Sequence, residues 1–379
     1  MQSLATFRKE FPGKQNIQQV PAVTEAQVVT DPRRAEEGKS PVQNTDFDGV
    51  IARVFHPYMH GLPCFHPTDN QTRGRWPGKP PLHRGPTKNG FLYVKVHKTG
   101  SSSSAGVHLR IAQNVARRSP HDDFDICKSR CVHSKAQPSH GLDLKQRHLN
   151  SSFVWTMVRE PTKRAISHFF HKQVSRGHIE PTDENFKQYL PSYPYAIDYL
   201  STEGYRHGVD NPMEHANDIM QHYNFIGLME RIEESLVVLS MLLNLPLADV
   251  LSVSAKRSGG YDGMCIKIHP SFVSPGMKEH FASDAWTNLM RPEIALFEAV
   301  NRSLDLTIDS LGRPAVQARV IRYREAMAVV NEQCTSDTIK MPCTRDGVRR
   351  TENETDCYFQ DLACGMDCLD QVANNFKLW

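Results

Sequence analysis

Lys98 sits in the stretch 91–104, FLYVKVHKTGSSSS, after a run of β-branched and aromatic residues and just before four serines. Residues of these types in this order form a cradle for an anion. The first backbone N–H groups of a helix lack intrahelical partners and carry the positive end of the helix dipole, and small residues let a phosphate or sulfate reach them. Lys98 adds a full positive charge, with Thr99, Gly100, Ser101, Ser102 and Ser103 as the turn. The same pattern also serves as an ordinary serine-capped helix start. A second candidate is Arg159, at the end of the apolar run FVWTMV (153–158), with Ser167 two helical turns further on. A guanidinium there offers a two-pronged fork to a phosphate, and Ser167 can reach the same group. Taken singly, Arg159 reads equally well as a partner of Glu160 or another carboxylate, and Ser167 as a cap or an exposed hydroxyl. Lys98 precedes Gly100, whereas a Walker A loop needs Gly, four residues, Gly and then Lys, so a nucleotide triphosphatase is disfavoured.

These side chains need strands to carry them and helices to follow. Residues 91–96 read as a strand feeding a helix over 105–118, and FVWTMV as a strand covered on both faces, as in a parallel sheet. A helix follows over 162–170, with Pro161 at its first position. A short strand is expected at 131–133 and a third apolar run at NFIGLM (224–229), followed by an amphipathic helix over 230–245 closed by Pro246. Helices are expected over 283–304 and 315–334, and a Gly-rich basic loop over 254–263. Strand and helix alternating in this way predicts an α/β fold, a three-layer sandwich with a central, mainly parallel sheet. Residues 177–220, rich in Tyr and His without a strong period, read as an insertion over that sheet.

The domain is expected over 90–333. Residues 1–89 read as a stem or spacer, partly disordered, with a strand or nothing over 20–29 and a proline-rich linker over 77–86. Residues 334–379 read as a Cys-rich tail packed on the domain. The chain of 379 residues holds 45 basic against 42 acidic side chains, which excludes a general nucleic-acid binder and makes any anion recognition local. No run is apolar enough to span a bilayer and no signal-peptide core is present, so the chain is expected to be soluble.

Nine cysteines are present, and Cys334, Cys343, Cys357, Cys364 and Cys368 fall in the tail. So little apolar surface surrounds them that cross-links are the expected source of order; five cannot all pair among themselves, so one bonds elsewhere or stays free. Zinc at Cys364 and Cys368 is the disfavoured alternative, lacking a neighbouring His or a second pair. Cys127, Cys131, His133 and His140 form either a metal site or, preferred here, a disulfide or two unrelated thiols. Asn-x-Ser/Thr acceptors at Asn70, Asn150, Asn301 and Asn353, together with the cysteines, point to an oxidising, luminal compartment with the membrane reached only through an anchor absent from this chain.

KTGSSS after an apolar strand, VWTMVREPTKRAISHFF about sixty residues later and then NFIGLMERIEESL together resemble the membrane-bound, Golgi-type sulfotransferases that use 3′-phosphoadenosine 5′-phosphosulfate (PAPS), the group holding the heparan sulfate 2-O- and galactose 3-O-sulfotransferases. The resemblance covers roughly residues 91–312. It implies a P-loop-like phosphosulfate loop at Lys98 to Ser103, a 3′-phosphate site at Arg159 and Ser167, and, as a weaker match, closure over the nucleotide by Lys256 and Arg257. It also implies residence in the Golgi lumen or secretory pathway, a metal-free reaction with PAP as product, and a glycan or other hydroxyl-bearing acceptor.

In such a reaction positioning and charge stabilisation do most of the work, with Lys98 offsetting charge on the leaving oxygen. A general base must take the acceptor proton. The resemblance places it on a His before the Arg-bearing strand, where His133 and His140 both qualify; His133 is preferred because it follows a short strand. His97 should alternate to the other side of the strand and pack. Glu230 and Arg231 should organise the sheet edge through ion pairs. The rival readings are a catalytically inactive relative that still binds PAP(S) or glycan, and a P-loop-type kinase.

Overall fold

The computed structural model describes residues 46–62, 90–118, 129–132, 144–202, 210–253, 260–359 and 361–379. The expected strand over 20–29, the linker over 77–86, Asn70 and Cys127 lie outside them. A short hairpin comes first, β1 (Asp46–Phe47) and β2 (Val50–Ile51), closed by Asp48 and Gly49 at φ +53° and +86°, the left-handed pair that a two-residue turn needs. The segment after it packs on the folded unit through the Arg53 and Phe55 N–H groups, which donate to Ser303 Oγ and Thr307 Oγ1 at 2.9 Å each.

The central sheet is built from β3 (Gly90–Val94), which leads into α1 (Ser101–Arg118), then β4 (Ser129–Val132) and β5 (Ser152–Val158). From β5 the chain enters α2 (Pro161–Phe169), prolonged by a π-helical stretch Phe170–Arg176, and passes α3 (Asp183–Tyr189), α4 (Ala196–Leu200) and α5 (Pro212–His222) before β6 (Phe225–Leu228). Strand order is β4-β3-β5-β6, and every neighbouring pair is parallel. β3, β5 and β6 are buried along their whole lengths, which is why they read as unbroken apolar runs rather than alternating ones. The register sets Tyr93 beside Trp155, with ring centroids 4.5 Å apart. His108 of α1 stacks on Phe91 at 4.2 Å and accepts the Trp155 indole N–H at Nδ1 (3.1 Å), so the buried indole donor is satisfied.

α6 (Ile232–Leu242) follows β6, and α7 (Pro275–Phe281), α8 (Asp284–Leu311) and α9 (Arg313–Gln333) complete the helical framework. α1 starts at Ser101 rather than at residue 105, because the four serines form its first turn instead of the loop before it. Residues 177–220 hold three short helices rather than a periodless insertion. At 7 and 5 residues α3 and α4 are too short to show a sequence period, and Thr182 and Asn211 cap α3 and α5, accepting from Asn185 N (3.2 Å) and Met213 N (3.1 Å). Asn301 lies inside α8, where its amide accepts from Arg231 (3.1 Å) and Ser303 is fully buried. No helix of the described residues is long and apolar enough to cross a membrane.

The tail carries β7 (Cys357–Phe359), β8 (Leu362–Cys364) and α10 (Met366–Asn375). Disulfides join Cys334 to Cys368 and Cys357 to Cys364, and Cys343 bonds outside the tail, to Cys265. The zinc alternative at Cys364 and Cys368 is overturned, since each sulfur is already spent in a disulfide. Arg110, 1 % exposed on α1, donates to Ala248 O (2.8 Å) and to Asp370 of α10 (2.6 Å), tying the tail to the helix that starts at the serine run.

Loop-closure entropy makes the long-range disulfide the more stabilising one. Cys265–Cys343 spans 78 residues and Cys357–Cys364 spans 7, so removing the first costs about 4.5 kcal/mol and removing the second about 2.5 kcal/mol. The Cys265→Ala/Cys343→Ala protein should therefore unfold at lower guanidinium concentration than the Cys357→Ala/Cys364→Ala protein, as measured by far-UV circular dichroism.

Candidate active site

Because β3, β5 and β6 run parallel, their carboxyl ends open on one edge of the sheet, and all three strand-to-helix junctions meet there. This is the edge at which open α/β sheets bind ligands. The first junction, residues 95–100, is held in an unusual backbone shape. Lys98 has φ +68° and Gly100 φ +67°, a region that costs a non-glycine residue roughly 1–3 kcal/mol and persists only where the surroundings enforce it. Four hydrogen bonds enforce it here. Arg164 Nε donates to His97 O and Arg159 Nη1 to Lys98 O, Thr99 Oγ1 donates to Val96 O, and Ser104 N donates to Gly100 O, each at 3.1 Å. Gly100 is also required by close approach, since a Cβ there would overlap Met229 Sδ at the start of the third junction.

Thr99, Ser101, Ser102 and Ser104 are buried and Ser103 partly so. Ser104 Oγ is shut from solvent with no hydrogen-bond partner among the described residues, and the N–H groups of Ser101, Ser102 and Ser103, ahead of the first helical bond from Ser104 N to Gly100 O, are a set of donors without a helical acceptor. An anion fits that set. Ser102 and Ser103 border a small cleft, walled on its other sides by residues 251–253, Asp361 and Cys364.

Arg159 comes from the second junction. Besides the bond to Lys98 O, its Nε lies 3.9 Å from Glu230 Oε1, and Glu230 Oε2 accepts from Glu160 N at 3.1 Å. Burial lowers the Arg159 pKa from its ordinary value, opposed by the charges of Glu230 and Glu160; the group stays charged. Glu160 caps α2 by accepting from Thr162 N and Lys163 N, both at 2.8 Å. Glu230 therefore organises the edge through an ion pair, as expected, and Arg231 turns away to Glu234 (2.6 Å) and Asp305 (2.9 Å). Ser167 is half-buried on α2. The structure thus brings Lys98, Thr99, Gly100, the serines and Arg159 to one place, with Ser167 on the helix that leaves it. His133, His140, Lys256 and Arg257 lie outside the described residues.

Two further residues at this edge lie within the stretch VWTMVREPTKRAISHFF, which by itself assigns them no role. Arg164 is fully buried on α2 and bonds Tyr193 Oη (2.6 Å), Pro194 O (2.8 Å) and Glu293 (3.2 Å) as well as the loop. His168, one turn later and 5 % exposed, shares a hydrogen bond between its Nδ1 and the Tyr189 hydroxyl. Spacing of four residues puts both on the buried face of α2, the one signal that could have singled them out. His97 stacks on Tyr199 at 5.3 Å and stands 5.9 Å from His168, the packing role expected of it. Among the described residues no group of three or more His, Cys, Asp or Glu is placed to hold a metal ion.

Burial, reinforced by the charges of Arg164, Lys172 and Lys98, drives the His168 pKa down from 6.5 to about 2. The unfolded chain therefore binds one proton more than the folded one between those values, and stability is lost as pH falls below 6.5. Relative to a His168→Gln variant, the unaltered protein should lose about 1.4 kcal/mol more between pH 7.5 and 5.5, read from urea midpoints at the two pH values.

No curated protein matches the chain. Residues 86–258, which hold the Lys98 loop, Arg159 and Ser167, match the model of the sulfotransferase family, and this match supports a sulfotransferase domain and sulfuryl transfer as its general chemistry.

Proposed function

We propose that the protein moves a sulfuryl group from PAPS to a hydroxyl of a carbohydrate, on a three-layer α/β fold with a P-loop-like donor loop, in the Golgi lumen or secretory pathway. The observation that carries the reading is the 3.1 Å bond from Arg159 to the carbonyl of Lys98. It sets the Lys98 and Arg159 junctions side by side, which supports binding of a nucleotide with separate 5′ and 3′ anionic groups.

The donor supplies an activated sulfuryl group on a phosphate leaving group. The N–H groups at the start of α1 and the hydroxyls of Thr99, Ser101, Ser102 and Ser103 hold the 5′ end still, and the Lys98 ammonium offsets charge on the oxygen that departs. The 3′-phosphate is held by Arg159, through the part of its guanidinium not spent on Lys98 O, and by Ser167. Lys256 and Arg257 close over the nucleotide. His133 or His140 takes the proton of the acceptor hydroxyl as its oxygen attacks sulfur in line with the breaking bond. None of these roles calls on a metal.

Transfer of labelled sulfate from PAPS to a panel of glycans tests the reading; if the product nucleotide fails to raise the melting temperature while ATP with Mg²⁺ does, it is wrong. Lys98→Ala should lower kcat about 1,000-fold with a small change in nucleotide affinity, whereas Arg159→Ala should mainly weaken nucleotide binding, by about 10- to 100-fold. Replacing His133 and His140 singly by Ala should abolish turnover in one case only, with acceptor binding retained.

A further inference from the structure

Arg164 and Arg159 treat the donor loop alike. Successive carbonyls, those of His97 and Lys98, each accept from an arginine of the β5–α2 unit. In a trans peptide the C=O and the following N–H point in opposite directions. Turning these two carbonyls toward the arginines therefore turns the N–H groups of Lys98 and Thr99 away from them, and Lys98 does so in the left-handed region.

Arg159 is partly exposed, with 26 % of its side chain open to solvent, but Arg164 is entirely enclosed. Its remaining donors run to Tyr193 Oη, Pro194 O and Glu293, and the other oxygen of Glu293 accepts from Ala196 N (2.6 Å) and Ile197 N (3.3 Å) at the start of α4. An ion pair removed from water is a weak source of net stability compared with apolar packing of equal volume. What this one does supply is connection: the 95–100 loop, α2, the segment 193–197 and α8 are joined at a single guanidinium whose planar fork meets four acceptors in fixed directions.

We infer that Arg164 is a positioning residue for sulfuryl transfer, holding the His97 carbonyl so that the loop presents its N–H donors and Lys98 to the donor; this rests on the function proposed above. Arg164 touches neither substrate. It acts through the loop, and through Glu293 it sets the loop's position against the 193–197 segment. A lysine in its place keeps the charge opposite Glu293 but has no fork to share between that carboxylate and His97 O.

The test is Arg164→Lys, paired with Arg164→Met/Glu293→Gln, which removes both buried charges together in case the single variant does not fold. Hydrogen–deuterium exchange on the ligand-free proteins should show the stretch 98–104 exchanging about tenfold faster at the Ser104 amide, which is bonded to Gly100 O, with β6 and α6 unchanged. Kinetics should show kcat down about 100-fold and donor KM raised, with acceptor KM held. Unchanged exchange across 98–104 in a folded variant overturns the inference, as does kcat within twofold of the unaltered protein; acceleration spread evenly over the sheet assigns Arg164 a purely structural role and overturns it too. Absence of any sulfuryl transfer by the unaltered protein defeats the proposed function instead, and the exchange measurement still judges the positioning.

Discussion

The parallel pairing of β3 with β5 is the constraint on which the site depends. Phe91 lies opposite Phe153 and Tyr93 opposite Trp155, and Thr156 Oγ1 adds a bond to the carbonyl of Val94 at 2.7 Å, at the last pair before the strands end. A slip of one residue would exchange the faces of every side chain along β5 and carry Arg159 away from the carbonyl of Lys98. The aromatic packing inside the sheet and the placing of Lys98 beside Arg159 at its edge are thus consequences of one register.

At that edge Lys98, Arg159, Arg164 and His168 are brought near one another, and burial sorts them into different states. Arg159 and Arg164 keep their charge because carboxylates face them, Glu230 for the first and Glu293 for the second. His168 has no such partner and is neutral, with its Nδ1 bonded to the Tyr189 hydroxyl. A fixed set of cations beside a helix N-terminus is suited to an anionic ligand, because the field is assembled before the ligand arrives and needs no reorganisation. The glutamates temper that field and orient the arginines.

The tail belongs to the same construction. Its β8 strand packs on α1 so closely that a Cβ at Gly106 would stand 3.1 Å from Ala363 N, and Arg110 reaches from α1 to α10. Ile339, Leu362, Leu369, Val372 and Leu378 are buried in the main core, and three disulfides, one of them reaching back to Cys265, add to that anchorage. A wall of the cleft beside Ser102 and Ser103 is consequently supplied by the last residues of the chain.

Local pattern determined much of this. Unbroken apolar runs marked β3, β5 and β6 because both faces of a parallel strand are covered, Pro161 marked the start of α2, and Lys98, the serine turn and Arg159 could be named because strand-to-helix junctions have a recognisable composition. Five cysteines in the tail required one partner outside it or one free thiol. Tertiary structure decided what depends on residues far apart in sequence. That Cys265 is the outside partner, that Arg164 is buried against Glu293 129 residues away, that Glu230 shares Arg159, and that His168 is neutral all follow from contacts across the sheet edge. A helix face reveals which residues point inward, but only the packed neighbour reveals whether an inward-pointing charge is held, shared or discharged.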